Sequence, residues 1–248
     1  MLDFSCIDPK QWQQHLCAYT QRLEALGNPK LTVLDQFYRQ ELPRLMQERQ
    51  PLPYITRDEL TKVMEWKLSR GKWRPRLLDF VKSLAEEEVK LASQTSFAAI
   101  PNLKDAVTHL SSLKGVGPAT ASAVLALYAP DIAPFMSDEA LVAVFSSVKD
   151  YSLKHYLDFA EKLQSKAKEL KTGEASKDKS KENQNLNASS LERALYAAAL
   201  ESKFQSAPKS STLGKREGTF APNADSKRIS DSKNKRTKAT RLKSAYAK

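Results

Sequence analysis

Apolar residues in the first two thirds of the chain recur at steps of three and four. Trp12, Leu16, Tyr19, Leu23 and Leu26 share one helical face. Leu31, Leu34, Phe37, Tyr38 and the Leu42/Leu45 pair predict a second helix, which Pro43 can kink because it lacks an N–H. Thr56-Arg-Asp-Glu59 is a capping box ahead of Leu60, Val63 and Met64. Pro75 opens a further helix through Leu77, Leu78, Val81 and Leu84, with Glu86, Glu87 and Glu88 on its exposed side. A last helix is expected near 151–170. No clear alternating run argues for a strand, and no segment repeats. The pattern predicts an all-α helical bundle over 1–170, long enough to bury a sizeable core.

One stretch has a different punctuation. Asn102 can cap a helix with Asp105 in its first turn and Leu103, Ala106, Val107 and Leu110 on one face. Leu113-Lys114-Gly115-Val116-Gly117-Pro118 follows, and then a second helix with Ala121, Val124, Leu125 and Tyr128 as its buried side. Glycine tolerates backbone angles that a Cβ resists, and Pro118 suits a first helical position. The hairpin amides and the helix N-terminus can together cradle an anion such as a nucleic-acid phosphate. The same residues would also serve a plain corner in which glycines only let two helices pack.

Leu-x-x-Leu-x-Gly-Val-Gly-Pro-x-Thr-Ala resembles the helix-hairpin-helix of the DNA glycosylase superfamily. The Trp-Arg-Pro and Pro-Phe-Met-Ser-Asp stretches are most similar to the Amun-type glycosylase-like nuclear proteins. The resemblance covers residues 103–148 well and the rest of the bundle loosely. It implies an all-α fold with a helix-hairpin-helix motif. Lys114, Gly115, Val116, Gly117, Ala119 and Thr120 would hold DNA phosphates. In that superfamily a catalytic aspartate opens the helix some twenty-odd residues past the first hairpin glycine. Asp138 occupies that place, with Glu139 as the alternate. Ser137, Asp138 and Glu139 would equally serve as a helix cap and its dipole complement. Bifunctional members carry a lysine two residues past the second glycine. Ala119 stands there, so no Schiff-base lyase activity is expected. Cys6 and Cys17 are too few, and too far from the C-terminal position, for the iron–sulfur cluster of some relatives. No cofactor is called for, although the hairpin carbonyls can coordinate a monovalent cation.

Charge changes the picture in two places. The bundle region carries 22 Lys+Arg against 21 Asp+Glu, whereas almost all of the chain's net +11 lies beyond residue 170. Within the near-neutral bundle, Lys67, Arg70, Lys72, Arg74 and Arg76 crowd into ten residues beside Trp66 and Trp73. Gly71 and Pro75 frame them as a loop between helices. Such a loop can track a phosphate backbone. Trp66 has the spacing of a core residue. Trp73 suits a core position and a base-stacking one alike.

Residues 171–248 read as a disordered basic tail. One island, near 189–204, is rich in Ala and Leu, with Ser189 and Glu192 as a capping box; alone it is too short to be stable, so it would dock on the bundle or on a protein partner. Lys215-Arg216, Lys227-Arg228, Lys233, Lys235 and Arg236 have the spacing of a bipartite nuclear import signal, and would also serve as a nonspecific polybasic arm. The N-terminus has no signal-peptide pattern and no stretch suits a membrane span. The three histidines are scattered, and two cysteines suit a reducing compartment. The sequence therefore predicts a nuclear protein with double-stranded DNA and an import receptor as partners and no membrane association. It would be a monofunctional DNA N-glycosylase, or alternatively a catalytically silent DNA-binding or chromatin adaptor.

Overall fold

The computed structural model describes residues 2–146, 150–172 and 186–206, and every regular element among them is a helix. Asp8 caps α1 (Pro9–Cys17) by accepting the Lys10 N–H at 3.0 Å, and α2 (Tyr19–Glu24) follows after Ala18. The Trp12–Leu23 periodicity therefore belongs to two short helices that share a buried side, whereas Leu26 falls beyond α2 and is exposed. α3 (Pro29–Gln36) widens into a π-helical turn at Phe37–Glu41 before α4 (Leu42–Glu48). Pro43 accounts for the widening, because its ring crowds the carbonyl four residues back and it has no N–H to offer.

α5 (Arg57–Arg70) opens on the capping box: the Glu59 N–H reaches Thr56 Oγ1 at 3.2 Å, and the Thr56 N–H reaches Glu59 Oε2 at 2.8 Å. It stops at Gly71. α6 (Pro75–Lys82) and α7 (Glu86–Ala98) are separate helices, where the sequence suggested one. The chain turns at Ser83, whose hydroxyl donates to the Phe80 carbonyl at 2.8 Å, and Ala85 is extended. Glu86, Glu87 and Glu88 thus occupy the first turn of α7, where carboxylates complement the positive helix end. α8 (Leu103–Ser111), α9 (Pro118–Tyr128), α10 (Asp138–Phe145) and α11 (Leu153–Thr172) complete the bundle.

Trp66 lies at the centre of the core, fully buried and stacked on Tyr38 with ring centroids 3.7 Å apart. Its Nε1 donates to Asp35 Oδ1 at 2.8 Å. Asp35 also accepts from the Tyr19 hydroxyl at 2.6 Å and from Arg39 Nε at 3.2 Å, so one buried carboxylate satisfies three donors.

The Ala/Leu island is α12 (Ala188–Ser206), and it docks on the bundle. It packs against α1, α2, α10 and α11, and the compact unit runs Met1–Ala207 instead of closing at 170. Arg22 ties it down, donating to the Ala197 carbonyl at 3.1 Å and pairing with Glu201 at 3.0 Å. The reciprocal cap is two residues earlier than the sequence suggested. Asn187 Oδ1 accepts the Ser190 N–H at 2.8 Å, and the Ser190 hydroxyl accepts the Asn187 N–H at 2.7 Å. Glu192 is thereby released from capping and faces inward. The import-signal residues between 215 and 236 lie outside the described residues.

Candidate functional site

α8 and α9 pack against each other, joined by residues 112–117. Leu113 and Val116 point into the core. The Val116 N–H donates to the Leu113 carbonyl at 3.0 Å, and the amides of Thr120 and Ala121 both donate to the Gly117 carbonyl. These amides are already used, and the Thr120 side chain is buried, which removes Val116 and Thr120 from the expected phosphate ligands. Gly115, Gly117 and Ala119 have amides without a backbone acceptor among the described residues. Lys114 is exposed, its ammonium 4.7 Å from the centre of the Phe80 ring.

The two glycines differ in what they require. Gly115 has φ +87°, and a Cβ there would come within 2.8 Å of the Phe80 Cβ. Its place is a left-handed backbone pressed against α6, a packing demand. Gly117 is extended at φ −106°, and a Cβ there would meet nothing within 4 Å. Open space in front of Gly117 is what a close-approaching ligand needs.

The segment 129–137 carries the chain from α9 to Asp138 without regular structure, and three helices hold it. From α9, the buried Ser122 hydroxyl donates to the Ala119 carbonyl at 3.0 Å and accepts the Met136 N–H at 2.9 Å. From α11, the Tyr156 hydroxyl donates to the Pro134 carbonyl at 3.2 Å, and Gln164 Nε2 to the Ile132 carbonyl at 2.7 Å. From α12, the Ser189 N–H donates to the Pro130 carbonyl at 2.9 Å. Ser137 then caps α10 through the Ala140 N–H, and Asp138 begins that helix. The Tyr151 hydroxyl donates to Asp138 Oδ1 at 2.6 Å. Burial first, and then this hydrogen bond to a carboxylate, push the Tyr151 phenol up to about 12.

These elements converge on a cavity of about 240 Å³. Gly115, Gly117 and Ala119 form one wall, and Asp138, Glu139 and Tyr151 another. Lys67, Arg70, Lys72 and Arg74 come from α5 and the loop after it. The volume falls below the roughly 300–1,000 Å³ of pockets for drug-sized ligands, and suits a single base or sugar.

The basic cluster is divided by the fold. Lys72, Trp73, Arg74 and Arg76 are exposed, with Trp73 47% accessible and Lys30 Nζ 5.6 Å from the centre of its ring. Trp73 and Arg76 do not line the cavity. Arg70 is not a surface cation at all. Its side chain is 3% exposed and its Nη2 donates to Glu192 Oε1 at 3.0 Å, while Glu192 is 2% exposed. The guanidinium lies 3.7 Å from the centre of the Tyr196 ring and 4.7 Å from that of Trp66. Arg70 therefore supports the cavity from within the core and is unsuited to a strand phosphate. Glu139 is engaged too, accepting from Lys203 Nζ of α12 at 3.0 Å.

Lys67 is the unusual cation. Burial first, and then the neighbouring Arg74 guanidinium, lower its ammonium from 10.5 to about 8, although Asp138 pulls the other way.

Sequence reasoning missed Tyr151, Ser122 and Glu192. Tyr151 and Ser122 act through contacts made by the fold, and nothing local marks them. Glu192 had a signal: it lies three and four residues before Leu195 and Tyr196, on an otherwise apolar face. A carboxylate there needs a cationic partner.

The chain matches no family model, no curated protein and no solved structure.

Proposed function

We propose that this chain is a nuclear DNA-binding protein that excises a base from double-stranded DNA by cleaving the N-glycosidic bond. The observation that carries the reading is the meeting of open hairpin amides, exposed cations and the Asp138–Tyr151 pair around one small cavity. On this reading α8, the hairpin and α9 are a helix-hairpin-helix of the glycosylase superfamily, with Gly117 and Ala119 amides on a strand phosphate. Lys72, Arg74 and Arg76 track the backbone, and Trp73 meets a base. The target nucleotide leaves the stack and enters the cavity.

The chemistry then needs little. The bond from C1′ to the base nitrogen breaks and its electron pair leaves with the base. Positive charge grows on the sugar, and the Asp138 carboxylate, held by the Tyr151 hydroxyl, stabilises it. Water adds to C1′ and gives up a proton, leaving an abasic site. Glu139 is a poor second candidate because Lys203 already holds it. The basic tail supplies nuclear import and nonspecific affinity.

The test is base release from a panel of duplexes with damaged or mismatched bases, followed by alkali to reveal abasic sites, with Asp138→Asn beside the wild type. Release by the wild type and its loss in Asp138→Asn is the expected result. DNA binding without release from any lesion would leave the silent adaptor.

A further inference from the structure

A second cavity, of about 190 Å³, lies at the far end of α9 from the hairpin. Ala126 and Leu127, from the last turn of α9, line it, whereas Pro118 and Ala119 of the first turn line the hairpin cavity. The two sets of residues are roughly 10 Å apart along the helix. Ser189 and Ser190 enter from the start of α12, and Arg39 and Arg193 bring two guanidiniums.

The two guanidiniums are served unequally. Arg39 Nε donates to Asp35 Oδ1 at 3.2 Å, and its Nη2 to the Tyr19 hydroxyl at 2.9 Å. Arg193 makes no hydrogen bond and no ion pair among the described residues, and its Nε is buried without a partner. Neither guanidinium donates to the carbonyl end of α9, so neither serves as a cap for that helix. Charge balance makes the same point. Asp35 pairs with Arg39 and Glu192 with Arg70, which leaves Arg193 as the cation in excess of this cluster. Burial first, and then the Arg39 guanidinium, lower its affinity for its proton. A largely buried cation with a like charge beside it and no counterion costs the fold free energy. One anion in the cavity answers both guanidiniums.

We propose that this cavity binds a phosphate-class oxyanion, held by Arg193 and Arg39 with the Ser189 hydroxyl beside them. Guanidinium forks match the oxygens of such an anion two at a time. The Ser189 hydroxyl makes no other hydrogen bond among the described residues. The amides of Ser189 and Ser190 are already taken by the Pro130 carbonyl and Asn187 Oδ1, so side chains supply the contacts and the positive end of α12 adds only its field. The site joins α9 to the start of α12, and a bound anion therefore strengthens the docking of α12 on the bundle. It is separate from the hairpin cavity and does not depend on base excision.

The probe is inorganic phosphate, added to the full chain at constant ionic strength. NMR follows the Arg193 Nε–H resonance, and thermal denaturation runs alongside. The expected result is a saturable shift of that resonance and a melting temperature that climbs with phosphate. In Arg193→Met phosphate affinity at this site should fall about tenfold or more, and the climb should shrink accordingly. The variant should be at least as stable as wild type in phosphate-free buffer, because methionine keeps the apolar stem and removes an unpaired buried cation. A resonance that phosphate leaves unmoved, or an equal climb in Arg193→Met, overturns the proposal. So does a loss of stability in Arg193→Met without phosphate, which would give the guanidinium a partner within the fold. Gly117→Ala should respond to phosphate like wild type; loss of the response there would move the anion to the hairpin and overturn the site. A short duplex in place of phosphate distinguishes the source. The same shift with duplex supports the site as a seat for a backbone phosphate, and a shift with phosphate alone supports it as a seat for a free one.

Discussion

The hydroxyl of Ser122 accepts the amide of Met136 at 2.9 Å, two residues before Asp138. The same hydroxyl donates to the Ala119 carbonyl, so one buried atom binds the hairpin helix to the segment that presents the carboxylate. Ser122→Ala leaves the Met136 amide buried and unpaired, which costs about 1–3 kcal/mol. Thermal denaturation should show that loss. Base release should fall while affinity for DNA stays level, because the hairpin itself is untouched.

The hairpin glycines separate two explanations that the motif alone leaves joined. Gly115→Ala forces a Cβ against Phe80 in a left-handed backbone, and should destabilise by about 1–3 kcal/mol. Gly117→Ala meets only open space, and stability should stay within about 0.5 kcal/mol. DNA affinity should nevertheless drop about tenfold, which corresponds to roughly one charge-assisted hydrogen bond to phosphate. Titration of both variants against the same duplex checks this. Unchanged affinity in Gly117→Ala would make the hairpin a packing device.

Arg70 and Glu192 form a buried pair across 122 residues of chain. Glu192→Ala should destabilise by about 3–5 kcal/mol, since it strands a guanidinium in the core. Arg70→Met with Glu192→Leu should recover most of that, because the aromatic cage accepts apolar groups as well. Denaturant midpoints for the single and double variants measure the difference.

Lys67 sets a pH dependence with a definite sign. Its amine titrates at about 8 in the folded protein and at its ordinary 10.5 when unfolded. Between those values the unfolded chain binds more protons, so stability from this group rises with pH; below about 8 the full penalty is present. Lys67→Met should therefore be more stable than wild type at pH 7, with the gap narrowing by pH 9.5. Equal gaps at both values would show that the amine is solvated.

Deleting residues 209–248 should weaken duplex binding without changing sequence preference. The log–log salt slope should shrink by about 0.9 for each phosphate that the tail neutralises. A truncated protein with unchanged affinity and slope would exclude the tail as a DNA-binding arm.

Much of this architecture is written locally. The Thr56–Glu59 box, the Asn102 and Ser137 caps and Pro118 at the start of α9 all depend on residues within four positions of each other. The helices they begin were legible for that reason. The turn between α8 and α9, and the start of α10 at Asp138, were legible through spacing. Periodicity could not distinguish one bent helix from two, so the breaks at Ala18 and at 83–85 were missed. Lys67 and Arg70 look alike in sequence, two cations in a basic stretch. Only the fold separates them, by placing Glu192 against one and none of the described carboxylates in hydrogen-bonding contact with the other. The extent of the compact unit was misjudged for the same reason: α12 follows a charged polar stretch, and its buried face has meaning only against the bundle.

The docking of α12 also dictates an order of events during synthesis. A ribosome adding 5–20 residues per second leaves roughly 6–24 s between the appearance of Arg70 and that of Glu192. Throughout that interval the nascent bundle has the Arg70 cation without its counterion, and the Tyr19 ring lacks the Tyr196 ring that packs on it. The polypeptide can close its core only when the last helix leaves the tunnel. Nascent chains arrested at 170 should therefore remain protease-sensitive, and those arrested far enough beyond 206 should not.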